Sequence, residues 1–153
     1  LKNFMQIFIG GIGCFWDETE YQGVPGIIST ECGYCGGKDP RVTYEQVCGG
    51  NTEHIEVVKV TFDPKIISYE DITRLFFEIH DPTTLNRQGP NVGYQYRSEI
   101  FYITEEERVS AQKILDEVNK KLNGKVVTVI RKEKNYCKAE EYHQKYFQKR
   151  SKK

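Results

Sequence analysis

Strand-like and helix-like segments alternate along this chain in the order β-α-β-β-α-β-α-β, and few folds can bury one core from that order. Met5–Gly10 reads as the first strand, and Cys14–Gln22 as a short helix with acidic residues in its first turn, ended by Gly23-Val24-Pro25-Gly26. Ile27–Tyr34 alternates as a second strand. His54–Phe62 alternates as a third, half-buried one, with Glu56, Lys59 and Thr61 among its polar positions. Ser68 and Asp71 have capping-box spacing and open a helix whose apolar face is Ile72, Leu75, Phe76 and Ile79. Asp81–Gly93 is a long irregular segment, a length that in compact domains usually serves function. Ile100–Ile103 is a further strand, Thr104 caps a helix through Leu122 that Gly124 closes, Val126–Ile130 is a last strand, and Ala139–Phe147 reads as a short terminal helix. The expectation is one domain, 1–153, of α+β class: a ferredoxin-like α/β sandwich with helices packed on a mixed, largely antiparallel sheet.

Composition narrows the partners. The chain has 153 residues, enough for a real core, and its 22 basic and 22 acidic residues are intermixed with a net charge of zero. That leaves no electrostatic footprint for nucleic acid, and the basic run Lys149-Arg150-Ser151-Lys152-Lys153 reads as a solvated end. No stretch approaches the roughly 20 apolar residues that span a bilayer, and the start lacks the apolar region of a secretory signal. Five cysteines are an odd number in a chain that does not need disulfide staples, so reduced thiols in the cytoplasm are expected.

Gly13-Cys14-Phe15-Trp16 follows the first strand directly. This order sets a sulfur at the start of a helix, where backbone N–H groups and the helix dipole favour a thiolate. Phe15 and Trp16 beside it offer walls for an apolar pocket. A nucleophilic thiol at such a pocket suggests redox or acyl chemistry on a small apolar group; the competing reading is a cysteine simply buried where strand and helix meet. Cys32 and Cys35 have a C-x-x-C spacing, which alone suggests a redox pair or half a zinc site. Cys32, however, falls in a predicted strand and Cys35 in the loop after it. His54, His80 and His143 follow no zinc pattern; His80 and His143 read as hydrogen-bonded structural histidines, and no metal is expected.

Several blocks together resemble the A-class peptide methionine sulfoxide reductases. They are Gly13-Cys14-Phe15-Trp16, Gly33-Tyr34-Cys35-Gly36-Gly37, Thr43-Tyr44-Glu45-Gln46-Val47-Cys48 with His54-Ile55-Glu56, His80-Asp81-Pro82-Thr83, Asn86-Arg87-Gln88-Gly89, Gln95-Tyr96-Arg97-Ser98 and Ala139-Glu140-Glu141-Tyr142-His143-Gln144. Each is short, but they run in the family order over nearly the whole chain. The resemblance implies reduction of the S epimer of methionine sulfoxide, free or in proteins, without a metal or organic prosthetic group. It implies Cys14 as nucleophile, passing through a sulfenic acid, and Glu56 as proton donor. Tyr44 and Tyr96 would hold the departing oxygen, Phe15 and Trp16 would enclose the S-methyl group, and Asn91 would bind substrate. A carboxyl must be neutral to donate, and burial among aromatics would favour that form.

Two departures from the family pattern bear on the chemistry. Asn91 stands where the family usually carries Asp, which keeps a hydrogen bond but no charge, and Asp17 replaces a small residue, with Glu18 in place of an early helix glutamate. The chain also stops at Lys153 without the glycine-rich, cysteine-bearing tail of many members. The sulfenic acid would then be resolved by Cys137 or Cys35, or by an external thiol; we expect a one-cysteine cycle recycled by glutathione, glutaredoxin or a thioredoxin-like donor. Three other classes remain to be tested: a zinc-stabilised binding module using Cys32, Cys35, Cys48 and Cys137 or a histidine, a thiol-disulfide oxidoreductase using the C-x-x-C pair, and an inactive relative that binds oxidised methionine.

Overall fold

The computed structural model describes residues 5–11, 14–88 and 91–140, and for residues 14–17 the backbone alone. Its elements run β1 (Gln6–Gly11), α1 (Cys14–Tyr21), β2 (Ile27–Cys35), α2 (Tyr44–Cys48), β3 (Ile55–Phe62), α3 (Tyr69–Glu78), β4 (Arg87–Gln88), β5 (Asn91–Val92), β6 (Glu99–Tyr102), α4 (Glu105–Lys121), β7 (Val129–Lys132) and β8 (Cys137–Lys138). Six strands form one sheet in the order β7-β6-β1-β3-β2-β8, while β4 and β5 make a separate small hairpin. All neighbours in the large sheet are antiparallel except β6 and β7. Its inner strands β6-β1-β3-β2 carry the expected ferredoxin-like topology, two β-α-β units that each step over one strand of the other.

This topology decides where chemistry can sit. Gly11 lies opposite both Val57 and Glu99, Gly33 opposite Val57, and Cys35 opposite Ile55. The C-terminal ends of β1 and β2 therefore meet the N-terminal ends of β3 and β6 at one rim. On one face of the sheet Phe8, Tyr34, Val58, Val60, Phe62 and Ile100 pack against Tyr21, Ile72, Phe76, Ala111 and Ile114 from the helices. Phe8, Tyr69 and Phe76 anchor that core, with the Phe8 ring centroid 5.5 Å from each partner and tilted against it. The opposite face buries a smaller cluster, Ile9, Cys35, Ile55, Val57 and Phe101, under Tyr94 and Tyr136.

Local chemistry explains most element boundaries. Ser68 and Thr104 cap α3 and α4 through capping boxes with Asp71 and Glu107. The long segment before β6 is not wholly irregular, since it holds the β4–β5 hairpin and a 3-10 turn at Tyr94–Tyr96. Cys35 is the last residue of β2 rather than part of a loop, because its pairing with Ile55 continues the ladder to that point. The expected terminal helix is also corrected at its start. Ala139 donates its N–H to the Cys32 carbonyl just after β8 pairs with β2, so Ala139 and Glu140 are not helical; residues 141–147 lie outside the described residues. Among the described residues no helix is long and apolar enough to cross a membrane.

His80 closes α3 as a structural histidine. Its Nδ1–H donates to the Phe76 carbonyl, and Nε2 accepts from Ser98 Oγ at 2.8 Å, while Ser98 in turn meets Thr128 Oγ1 at 2.7 Å. Burial pushes the imidazole down to about 4 from 6.5, so near pH 7 the ring is neutral and Nε2 is the acceptor in this relay. Below pH 6.5 the unfolded chain therefore binds a proton that the folded one refuses until about pH 4. Stability should fall by about 3 kcal/mol as pH drops through that window, and urea titrations should show a His80→Gln variant losing that part of the slope.

Gly36, at the turn out of β2, has φ +91°, and a Cβ there would overlap Arg131 Nη2 and approach Phe101. Gly23 has a similar φ of +84° with open space around it. Denaturant unfolding should place Gly36→Ala about 1–3 kcal/mol below wild type and clearly below Gly23→Ala, since only the former adds overlap to strain. Equal losses would mean that the Arg131 contact costs nothing to displace.

Candidate active site

Cys14 is the first residue of α1, so its amide lies in the turn whose N–H groups lack intrahelical partners. The side chains of Cys14, Phe15 and Trp16 lie outside the described residues. What the structure does place is the surface beneath that helix start. α1 packs over β2 and β3, and Glu56 is the second residue of β3, fully buried. Glu56 has the same strand parity as Val58, Val60 and Phe62, so it faces the helix-covered core, whereas Lys59 and Thr61 face the other side. The ordinary outward-facing strand position is thereby ruled out for it.

Tyr44 begins α2, a helix of only five residues held by a capping box between Thr43 and Gln46. Its phenol is pushed well above the usual tyrosine value, first by a hydrogen bond with the Cys48 side chain, then by burial, then by the nearby charges of Tyr96, Cys48 and Glu56. Tyr44, Tyr96 and Glu56, from three separate elements, therefore share one electrostatic neighbourhood. Two hydroxyls and a buried carboxyl make a set of hydrogen-bond and proton donors suited to an oxygen that gains negative charge. Tyr96 ends the 3-10 turn that packs against β3. Asn91 is half-buried on β5, opposite Gln88 in the hairpin.

The segment between β2 and α2 is fixed by His54. Its Nε2–H donates to the Asp39 carbonyl at 2.7 Å, and the ring lies against Gly37. Burial lowers its affinity for a proton, which makes it another neutral structural ring.

No disulfide joins Cys32, Cys35, Cys48 and Cys137 to one another. Cys32 and Cys35 lie on opposite faces of β2, as an odd spacing within a strand requires. Cys35 is fully buried on the face away from Glu56, donates to the Lys134 carbonyl, and has its thiol pushed up to about 12 by burial. Cys137 lies opposite Tyr34, which lies opposite Glu56, so these three form one row across β3, β2 and β8. Cys137 is half-buried, and burial also raises its thiol. Among the described residues no group of three or more His, Cys, Asp or Glu is arranged to hold a metal ion.

Three carboxylates carry more structure than their sequence positions reveal. Glu18, on α1, is buried and accepts from Thr30 Oγ1 at 2.7 Å and Cys32 Sγ at 3.4 Å. Glu99, at the same rim but on the opposite face, is buried between Arg131 at 2.8 Å and Arg97 at 3.7 Å. Glu140 bridges Tyr34 and α2, accepting from Tyr34 O–H and from the Tyr44 N–H, each at 2.9 Å. Only parity within β6 could have flagged Glu99, and the motif block that holds Glu140 gave no sign of its partners, which lie 106 and 96 residues away.

The model of the family described as peptide methionine sulfoxide reductase matches residues 5–153. A peptide methionine sulfoxide reductase MsrA from Pelagibacter ubique is 57% identical over 147 residues, which are 95% of this chain and all of that protein. Mxr1 from Saccharomyces cerevisiae in reduced form superposes with a TM-score of 0.90 at 37% identity, over 97% of this chain and 87% of that one. The crystal structure of Mxr1 in complex with Trx2 also matches, with a TM-score of 0.67 at 26% identity over 95% of this chain and 89% of that one. With the sequence blocks, the ferredoxin-like sheet and whole-length relatives in agreement, the chain belongs to the peptide methionine sulfoxide reductase family.

Proposed function

We propose that residues 1–153 act as a single catalytic domain that reduces the S epimer of methionine sulfoxide, free or in proteins, to methionine. The observation that carries this reading is Glu56: a carboxyl fully buried on the helix-covered face of β3 and close enough to Tyr44 to act on its phenol, as Tyr96 also is. In the proposed step the Cys14 thiolate attacks the sulfoxide sulfur while Glu56 supplies a proton to the oxygen. The oxygen passes to the Cys14 sulfur, giving a sulfenic acid and free methionine; the cysteine sulfur is oxidised by two electrons and the methionine sulfur reduced by two. Tyr44 and Tyr96 donate hydrogen bonds to the moving oxygen. Phe15, Trp16 and Asn91 are the proposed substrate-binding residues.

An external thiol then attacks the sulfenic acid and releases water, and a second thiol frees Cys14 as a disulfide forms between the donors. The structural likeness to Mxr1 bound to Trx2 supports a thioredoxin-class donor, with glutaredoxin and glutathione as the other thiols of suitable chemistry. Recycling of this kind fits a reducing compartment such as the cytoplasm. Cys35 is ill suited as an internal resolving residue, since it sits on the other face of the sheet and its thiol resists ionisation. Cys137, on the Glu56 side, is the internal candidate that remains.

Reduced protein mixed with separated epimers of a methionine sulfoxide peptide, without added reductant, should yield about one equivalent of methionine from the S epimer alone. Cys14→Ser should yield none. Mass spectrometry of the same sample should find sulfenic acid or its trapped adduct on Cys14, unchanged in Cys35→Ser. A rapid Cys14–Cys137 bridge would replace the one-cysteine cycle with an internal one, and product from the R epimer or from Cys14→Ser would overturn the proposed reaction.

A further inference from the structure

The element carrying Tyr44 has little to fix it. α2 is one and a half turns long, too short to be stable by its own hydrogen bonds, and Val47 is its one buried residue. The segment before it is held through His54 and Asp39, and Cys48 at its far end accepts from Gln95 Nε2 at 3.7 Å, so what remains to be tied to the core is the first turn, where Tyr44 sits. That tie is Glu140. One of its carboxylate oxygens accepts from the Tyr44 N–H and the other from the hydroxyl of Tyr34. Tyr34 is rigid, being 1% exposed in the main core and paired in register with Glu56.

We propose that Glu140 is a positioning residue for the reaction, holding Tyr44 against Tyr34, the β2 residue that is paired in register with Glu56. This rests on the role assigned to Tyr44 under the proposed function. The physical case is that a carboxylate at a helix N-terminus meets both an unsatisfied N–H and the positive end of the helix dipole, and makes stronger hydrogen bonds than a neutral acceptor. The same carboxylate spans two elements whose separation sets the distance between Tyr44 and Glu56. A hydroxyl that must meet an oxygen in the transition state loses most of its effect when displaced by about 1 Å. The bridge also places the start of the C-terminal segment, directly after β8, in contact with the site.

Glu140→Gln keeps the size of the side chain and an oxygen that can accept from Tyr34, but presents an N–H₂ group to the Tyr44 N–H. A double-mutant cycle with Tyr44→Phe, read as first-turnover rates on the S-epimer peptide, tests the inference. Glu140→Gln should slow the first turnover about tenfold in the Tyr44 protein and less than twofold in Tyr44→Phe, because the hydroxyl it positions is already gone. Alkylation of Cys14 by iodoacetamide should proceed at an unchanged rate, which a general loosening of the fold would not allow. If Tyr44→Phe is slow but Glu140→Gln is either fully active or equally damaging in both backgrounds, the positioning role is overturned and the role of Tyr44 stands. If Tyr44→Phe reacts as fast as wild type, the role of Tyr44 fails, and the inference fails with it.

Discussion

The pairing of β3 with β1 on one side and β2 on the other is the constraint on which the site depends. Both neighbours run antiparallel to it and parallel to each other, so the helices that return the chain must step over a strand. The end of β1, from which α1 and Cys14 depart, is thereby brought beside the beginning of β3, where Glu56 sits. The opening turns of α1 and the 3-10 turn before β6 converge on the same rim. Strand order brings the elements that carry Cys14, Glu56 and Tyr96, far apart in sequence, toward one rim.

Burying a carboxyl such as Glu56 costs several kcal/mol if it remains charged and much less if it is protonated or hydrogen-bonded. The fold treats its buried carboxyls differently. Glu99 faces two arginines, and Glu18 takes hydrogen bonds from a hydroxyl and a thiol. Glu56 instead shares its surroundings with tyrosines. A carboxyl among phenols can carry the proton that the proposed reaction must deliver. The Glu99 ion pairs and Glu56 thus lie on opposite faces of one sheet.

Much of this was legible in the sequence. The capping boxes at Ser68–Asp71 and Thr104–Glu107 mark the starts of α3 and α4, and the motif blocks carried the family, which the comparisons show. The same capping pattern at Thr43–Gln46 also marks α2, but a helix of five residues has no apolar period to confirm it. Glu56 shows where pattern reading needs strict parity. Grouped with Lys59 and Thr61 it looks exposed, yet counted in steps of two it falls in line with Val58, Val60 and Phe62, and the structure buries it there. β8 and the Glu140 bridge were not legible, because each is defined by a partner about a hundred residues away and neither has a local signature.

The most direct test of the account is the first-turnover rate of Glu56→Gln, measured beside the alkylation rate of its Cys14. Gln keeps the shape and a hydrogen-bond donor but has no proton to transfer. The account predicts a first turnover at least a hundredfold slower, a size typical of losing a general acid, with Cys14 alkylated as fast as in wild type. A Glu56→Gln protein that released methionine at nearly the wild-type rate would contradict it, and the buried carboxyl at the head of β3 would then be a structural group alone.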